Sequence, residues 1–238
     1  ANYYAMMIEF IVLICVYKMM QVKTLRRIVF YVVTIVCNLF ALYLSGSRTA
    51  WIPFVVTIPF MFLINKRFIY FTTSMAGIGG AGMLLLLEPK LMQRATIFQD
   101  FAKRSNIWET AVKGIQAHPL LGKGPLTYFH IYKQYHGHPT QHAHSIYLDP
   151  ILSHGIIGVI LAGIYFAGNL KEVYLLLKRR IDLRLFSLIS AFILTILIHG
   201  ILDYTVYWVQ TGLLFLIVLS ASSMYFHKEQ PYDIQEEH

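Results

Sequence analysis

Seven apolar runs, each close to the length of a membrane-spanning helix, constrain this chain more than any other feature. They cover approximately residues 3–17, 28–47, 49–64, 68–87, 145–168, 185–202 and 204–226. Crossing about 30 Å of hydrocarbon takes about 20 mostly apolar residues, and in lipid every backbone polar group must be satisfied inside the fold. The run from Phe68 to Leu87 carries no charge. The third run is short and holds Pro53 and Pro59, which a bundle tolerates because neighbouring helices satisfy the freed carbonyls. With 57% hydrophobic and only 13% charged residues, the chain is not an ordinary soluble domain. The predicted fold is an all-α, polytopic integral membrane bundle. Cys15 and Cys37 lie in apolar runs and read as packing residues. Because the chain opens inside apolar sequence, it is expected to be the C-terminal part of a longer membrane protein.

Orientation follows from Lys and Arg in the short connections. Lys18, Lys23, Arg26 and Arg27, then Lys66 and Arg67, then Lys171, Lys178, Arg179, Arg180 and Arg184, and finally Lys228 fall on one side of an alternating topology. That side is expected to be the cytoplasm. The remaining cations are Arg48 and seven in a long outward loop, residues 88–144, which also holds six of the ten histidines. Long loops cross regardless of charge, so the topology stands. The cationic excess points to an anionic substrate handled at the membrane surface, phosphate above all.

Several constellations stand out. Ser45-Gly46-Ser47-Arg48-Thr49-Ala50-Trp51 closes the second span. Arg48 there reads either as an arginine snorkelling to lipid phosphate or as a fixed guanidinium that grips a pyrophosphate. Within the loop, Ile107, Trp108, Ala111, Val112 and Ile115 form one stripe of an amphipathic helix, which Gly114 and His118-Pro119 are expected to end. Such a helix lies on the membrane or caps a cavity with Arg104 turned inward. Pro119-Leu120-Leu121-Gly122-Lys123-Gly124-Pro125 reads as a tight turn whose glycines could offer backbone N–H groups to an anion.

His136, His138, His142 and His144 lack the cysteine or carboxylate that would complete a typical metal set, so no metal site is expected. A general base is the better reading, and His144, placed at the opening of the fifth span, is favoured over His142. The bland alternative is interfacial histidines with no role. Glu9, Asp149 and Asp203 are carboxylates in or near spans, where charge is costly and must face the bundle interior or water. Asp149 or Asp203 could orient an imidazole or meet a guanidinium. Glu9 marks a polar cavity or pairs with a preceding span.

These residues carry a resemblance. Ser47-Arg48-Thr49, Arg104 with Trp108, His118-Pro119-Leu120-Leu121-Gly122-Lys123-Gly124, Ala143-His144-Ser145-Ile146-Tyr147-Leu148 and His154-Gly155-Ile156-Ile157-Gly158 occur in an order that resembles the O-antigen ligase and Wzy-type polymerase superfamily. The resemblance covers about residues 45–160. It implies a GT-C-like helical fold with more than seven spans. It also implies transfer of a glycan from a polyprenyl-pyrophosphate donor to a sugar hydroxyl on a glycan or glycolipid acceptor. By the same resemblance Arg48 and Arg104 hold the pyrophosphate, His144 is the catalytic base and Asp203 supports it. His142 and Lys123 join the candidate substrate-binding residues. Neither a cofactor nor a divalent metal nor nucleic acid is expected. The family commonly has Asn after this histidine, where this chain has Ser145.

The implied layout is four spans over 1–87, an extracytoplasmic catalytic loop over 88–144, three spans over 145–226 and a cytoplasmic tail over 227–238, in a bacterial inner membrane. The chemistry expected is direct displacement with inversion. A transporter or flippase of lipid-linked anionic glycans is the alternative, with the loop as an electrostatic funnel. It would be expected to show paired broken spans in related halves, and only the third run is proline-interrupted.

Overall fold

The computed structural model describes residues 2–47, 49–87 and 94–226, which are largely helical and contain no strand. The helices are α1 (Asn2–Met19), α2 (Leu25–Ser45), α3 (Trp51–Ile64), α4 (Phe68–Leu87), α5 (Arg94–Ala117), α6 (Thr127–Ile131), α7 (Leu148–Lys178), α8 (Leu183–His199) and α9 (Val209–Ser220). Two 3₁₀ turns, Thr205–Tyr207 and Ala221–Tyr225, flank α9. Each of the seven apolar runs forms helix. By length and composition α1, α2 and α7 are able to cross a membrane, while α3, the stretch Phe68–Leu84 of α4, α8 and the segment Val209–Tyr225 are shorter apolar segments. The tail with Lys228 lies outside the described residues, as do residues 88–93 of the loop.

α1 runs through the middle. Half of its length is buried, against 6% of α2. Phe10 stacks on Phe192 of α8 at 4.1 Å, and Met6, Leu13, Met61, Leu188, Ala191 and Ile196 close around them. By contrast Phe30, Val33, Phe40 and Leu44 of α2 stay exposed. A continuous apolar outer face of this kind suits lipid rather than water.

The α1–α2, α3–α4 and α7–α8 turns meet at one end of the bundle. At that end Met20, Asn65, Arg67, Ile181, Asp182 and Arg184 line one cavity. Asn65 there donates to Ser187 Oγ at 2.8 Å, and Tyr225 donates to Asp182 at 2.8 Å. The other end gathers Asn2, Ser47, Asp203 and the chain just ahead of α7.

α5 is longer than the amphipathic stripe suggests. It extends back to Arg94 and passes through Gly114 to Ala117. Gly114 is a packing point rather than an end: a Cβ there would meet the side chains of Ile131 and Leu152. Ile107 and Ala111 are buried against α6 and α7, whereas Val112 faces out. Asn106 Oδ1 accepts from the His138 backbone N–H at 2.6 Å, which docks the histidine-bearing segment of the loop onto α5.

α7 is broken at Gly155, which has φ 65° and ψ −178°. In an unbroken helix Ile156 N–H and Ile157 N–H would donate to the carbonyls of Leu152 and Ser153. Here they donate to Pro119 and Leu120 at 2.9 and 3.1 Å. The released carbonyls of Leu152 and Ser153 accept from Lys123 and Gly124 at 3.3 and 2.9 Å. The loop thus inserts into the helix and supplies partners for these two donors and two acceptors. Only glycine fits where the two segments cross. A Cβ on Gly155 would strike the Leu120 carbonyl, and one on Gly122 (φ 66°) would lie 2.5 Å from the Ser153 carbonyl. The turn expected to offer free N–H groups to an anion therefore uses three of them, those of Gly122, Lys123 and Gly124, inside the fold. The break also moves the start of the fifth span. Leu148–His154 lies before the break, and the stretch from Ile156 to Lys178, roughly 34 Å at 1.5 Å per residue, is by itself long enough to cross a membrane.

Candidate functional site

Three side chains meet at the end of the bundle that gathers Asn2, Ser47 and Asp203. The ligating atoms of His142, His144 and Asp203 all lie within 4.8 Å of one another. His144 was expected at the mouth of a rigid helix. It sits instead four residues before α7, in left-handed backbone at φ 46°. A non-glycine residue pays for that conformation and keeps it only where its surroundings dictate it, a pattern common at functional sites. The surroundings here are specific. Asp149 Oδ1 accepts the Ala143 N–H at 2.7 Å. Ser145 Oγ accepts from the Tyr147 and Leu148 backbone N–H groups at 3.3 and 3.4 Å, holding the turn that leads into α7. Ile146 N–H donates to Gly200 O at 2.9 Å, and Tyr147 donates to Leu197 O at 2.9 Å, fastening the segment to the end of α8. A Cβ on Gly200 would collide with Ile146, so the glycine permits this approach.

So held, the His144 ring presents Nδ1 to Asp203 Oδ1 at 3.4 Å and Nε2 to Thr140 Oγ1 at 3.2 Å, with 26% of the side chain exposed. Asp203 is buried. It also accepts from the Tyr204 N–H at 2.7 Å and from Asn2 Nδ2. Burial alone would raise this carboxyl, but the His144 imidazole and the donors from Tyr204 and Asn2 outweigh it and hold it well below the usual carboxylate range. His142 Nδ1 accepts the His144 backbone N–H at 3.3 Å. Burial, reinforced by the neighbouring His144, lowers the His142 imidazole to about 4. Asp203 thus serves His144, while Asp149 shapes the backbone ahead of it.

Asn2 extends the network, since Ser47 Oγ donates to its side chain at 3.0 Å. Ser47 is the residue before Arg48, and Arg48 itself lies outside the described residues. Arg104 is half-buried on α5. Lys123 is exposed on the clasp between the loop and α7 and does not line the cavity beside His142.

Sequence reasoning missed one partnership. Glu9 of α1 neither waits for a preceding span nor opens a cavity. Both its oxygens meet His199 Nδ1, at 2.9 and 3.0 Å, and both side chains are fully buried. A lone carboxylate and a lone imidazole in two apolar helices were the available signal, because each needs a polar partner at membrane depth.

No curated protein and no solved structure matches this chain. One family model, Wzy_C, described as O-antigen ligase, matches residues 33–163, which is more than half of the chain and includes α5, the clasp and the His142–His144 segment. With that match and its bundle of apolar helices, the chain belongs to the O-antigen ligase family, membrane proteins of glycosyltransferase type.

Proposed function

We propose that the protein transfers a glycan from a polyprenyl-pyrophosphate donor to a sugar hydroxyl, as a ligase or a polysaccharide polymerase. It does so at the extracytoplasmic face of a bacterial inner membrane and within a GT-C-like fold. The observation that carries the reading is the His144–Asp203 couple in a half-open site. A carboxylate on one imidazole nitrogen fixes the ring and its tautomer and raises the basicity of the other. Nε2 of His144 takes the proton of the attacking hydroxyl. The hydroxyl oxygen forms its bond to the anomeric carbon while the bond to the pyrophosphate oxygen breaks, with inversion and no covalent glycosyl-enzyme. General-base help of this kind is worth roughly 10²–10⁴-fold.

Arg104 and Arg48 clamp the pyrophosphate and spread the charge that develops on it. Planar guanidiniums match two phosphate oxygens at once. The Ser47–Asn2–Asp203 chain of hydrogen bonds supports this role for Arg48, since it ties the turn before Arg48 to the base's own carboxylate. Lys123 attracts the anionic donor from its exposed place on the loop. His142, neutral at pH 7, lines the acceptor side. The layout proposed is four spans over 1–87, a catalytic loop over 88–144, three spans over 145–226 and a cytoplasmic tail. The reaction needs no metal, because the leaving group is already activated. Addition of EDTA should leave the rate unchanged.

The deciding experiment mixes the purified protein in detergent with polyprenyl-linked glycan and a glycan or glycolipid acceptor. An enzyme forms a new glycosidic product there, with no membrane potential and no compartment. A protein that forms none in detergent, yet moves the lipid-linked glycan across vesicles, would be a flippase.

A further inference from the structure

Beside the His144–Asp203 couple lies a cavity of about 220 Å³, lined among others by Gln141, His142, Asp149, Tyr204, Tyr207 and Trp208. We propose that this cavity is a subsite for one uncharged pyranose ring, belonging to the acceptor or to the donor's glycan. The proposal rests on the transfer reading above and names what that site holds.

Three observations carry it. The first is charge. Among the described residues no Lys or Arg lines the cavity; its polar groups are the Gln141 amide, the imidazoles of His142 and His154, the Asp149 carboxylate and the Ser153 and tyrosine hydroxyls, a set that suits sugar hydroxyls better than pyrophosphate. The second is shape and surface. Tyr204 and Tyr207 stack at 4.3 Å with planes 12° apart, and Trp208 packs on Tyr3 at 5.4 Å while remaining 44% exposed. Flat aromatic faces bordered by hydrogen-bonding groups suit a ring whose faces are C–H and whose rim is hydroxyl. The volume is below the ~300–1,000 Å³ of sites for drug-sized ligands, which limits the occupant to about one ring. The third is position. The His142 ring lies 4.3 Å from the His144 ring and 5.3 Å from Tyr204, so it stands between the base and the cavity wall. A sugar seated against Tyr204 and Tyr207 needs to reach only past His142 to bring a hydroxyl or an anomeric carbon to the base. Aromatic residues also collect at membrane interfaces without any ligand, but that role needs no cavity and no convergent polar groups.

The test uses methyl glycosides of glucose, galactose, mannose and N-acetylglucosamine as probes, with saturation-transfer NMR on the full chain in detergent. At least one glycoside should receive saturation. Tyr207→Ala and Trp208→Ala should each weaken that binding at least tenfold, while Trp208→Phe, which keeps an aromatic face, and His144→Ala, outside the cavity, should retain it. Displacement by lipid-linked donor assigns the ring to the donor, and displacement by the acceptor assigns it to the acceptor. If no glycoside receives saturation, or if the two alanine variants bind as well as the wild type, the subsite is overturned, whatever the transfer assay gives. A signal that follows the variants in a protein unable to transfer would sustain the subsite and sink the transfer reading instead.

Discussion

Two imidazole–carboxylate couples share the end of one helix. His199 and Asp203 are four residues apart, linked by the Asp203 N–H to His199 O bond of 3.1 Å, yet they belong to different couples. The Glu9–His199 couple is sealed, its atoms 2.9 and 3.0 Å apart and its side chains without solvent contact. The His144–Asp203 couple is looser at 3.4 Å, and its imidazole is partly open. The same pair of groups does different work because access differs. A sealed couple holds α1 to α8 through a contact that lipid cannot replace. An open one leaves its second ring nitrogen bonded only to the Thr140 hydroxyl, at the exposed side of the site.

Mutations that separate the couples test this division. The largest effect is expected from His144→Ala, which should cut transfer by roughly 10²–10⁴-fold. Binding of the lipid-linked donor should survive, as measured by ligand-induced thermal stabilisation. A variant with near-normal turnover would remove His144 from the chemistry. Glu9→Ala should act on the fold instead. Removing one member of a buried pair costs about 3–5 kcal/mol, read by denaturant unfolding in detergent, and the double variant Glu9→Leu with His199→Leu should recover most of it. If Glu9→Ala slowed turnover with no loss of stability, the sealed couple would be part of the mechanism and the division would fail.

Gly200→Ala probes the hinge between the couples. The added methyl pushes on Ile146 and so moves His144 from Asp203 without touching Glu9. Misplacement of a catalytic group by about 1 Å costs on the order of 10²-fold in rate, whereas overpacking costs only about 1–3 kcal/mol in stability. Turnover should therefore fall far more than unfolding stability. The smallest effect concerns His142, lowered to about 4 chiefly by burial. Between that value and the ordinary histidine pKa near 6.5 the unfolded chain binds more protons than the folded one, so stability rises with pH across this window and falls on acidification. His142→Gln should flatten that slope in thermal melts, and an unchanged slope would assign it to another group.

Much of the fold was legible because lipid leaves few options. An apolar run of sufficient length forms helix whatever its details. The candidate site was legible only as a list. His142, His144 and Asp203 could be named from the chain, but their convergence depends on Gly200 admitting Ile146 and on Asp149 gripping Ala143, contacts that no local pattern encodes. The break in α7 was hidden for a similar reason. Gly155 is followed by Ile156, Ile157 and Gly158 in an otherwise continuous apolar run, and the partner that makes the break affordable lies more than thirty residues earlier in the chain. Glu9 and His199 are 190 residues apart, so only the physical cost of leaving each unpaired could have suggested the match.

Because residues 119–124 complete the hydrogen-bond ladder of α7, the outer layer is not a removable module. A chimera that exchanged loops between two related proteins at the boundary near residue 144 would separate Gly122 from the Gly155 crossing it was shaped for. Recombination that respects this seam must carry both glycines together. New acceptor preferences are therefore more readily acquired by changing side chains on the existing scaffold than by importing a foreign loop.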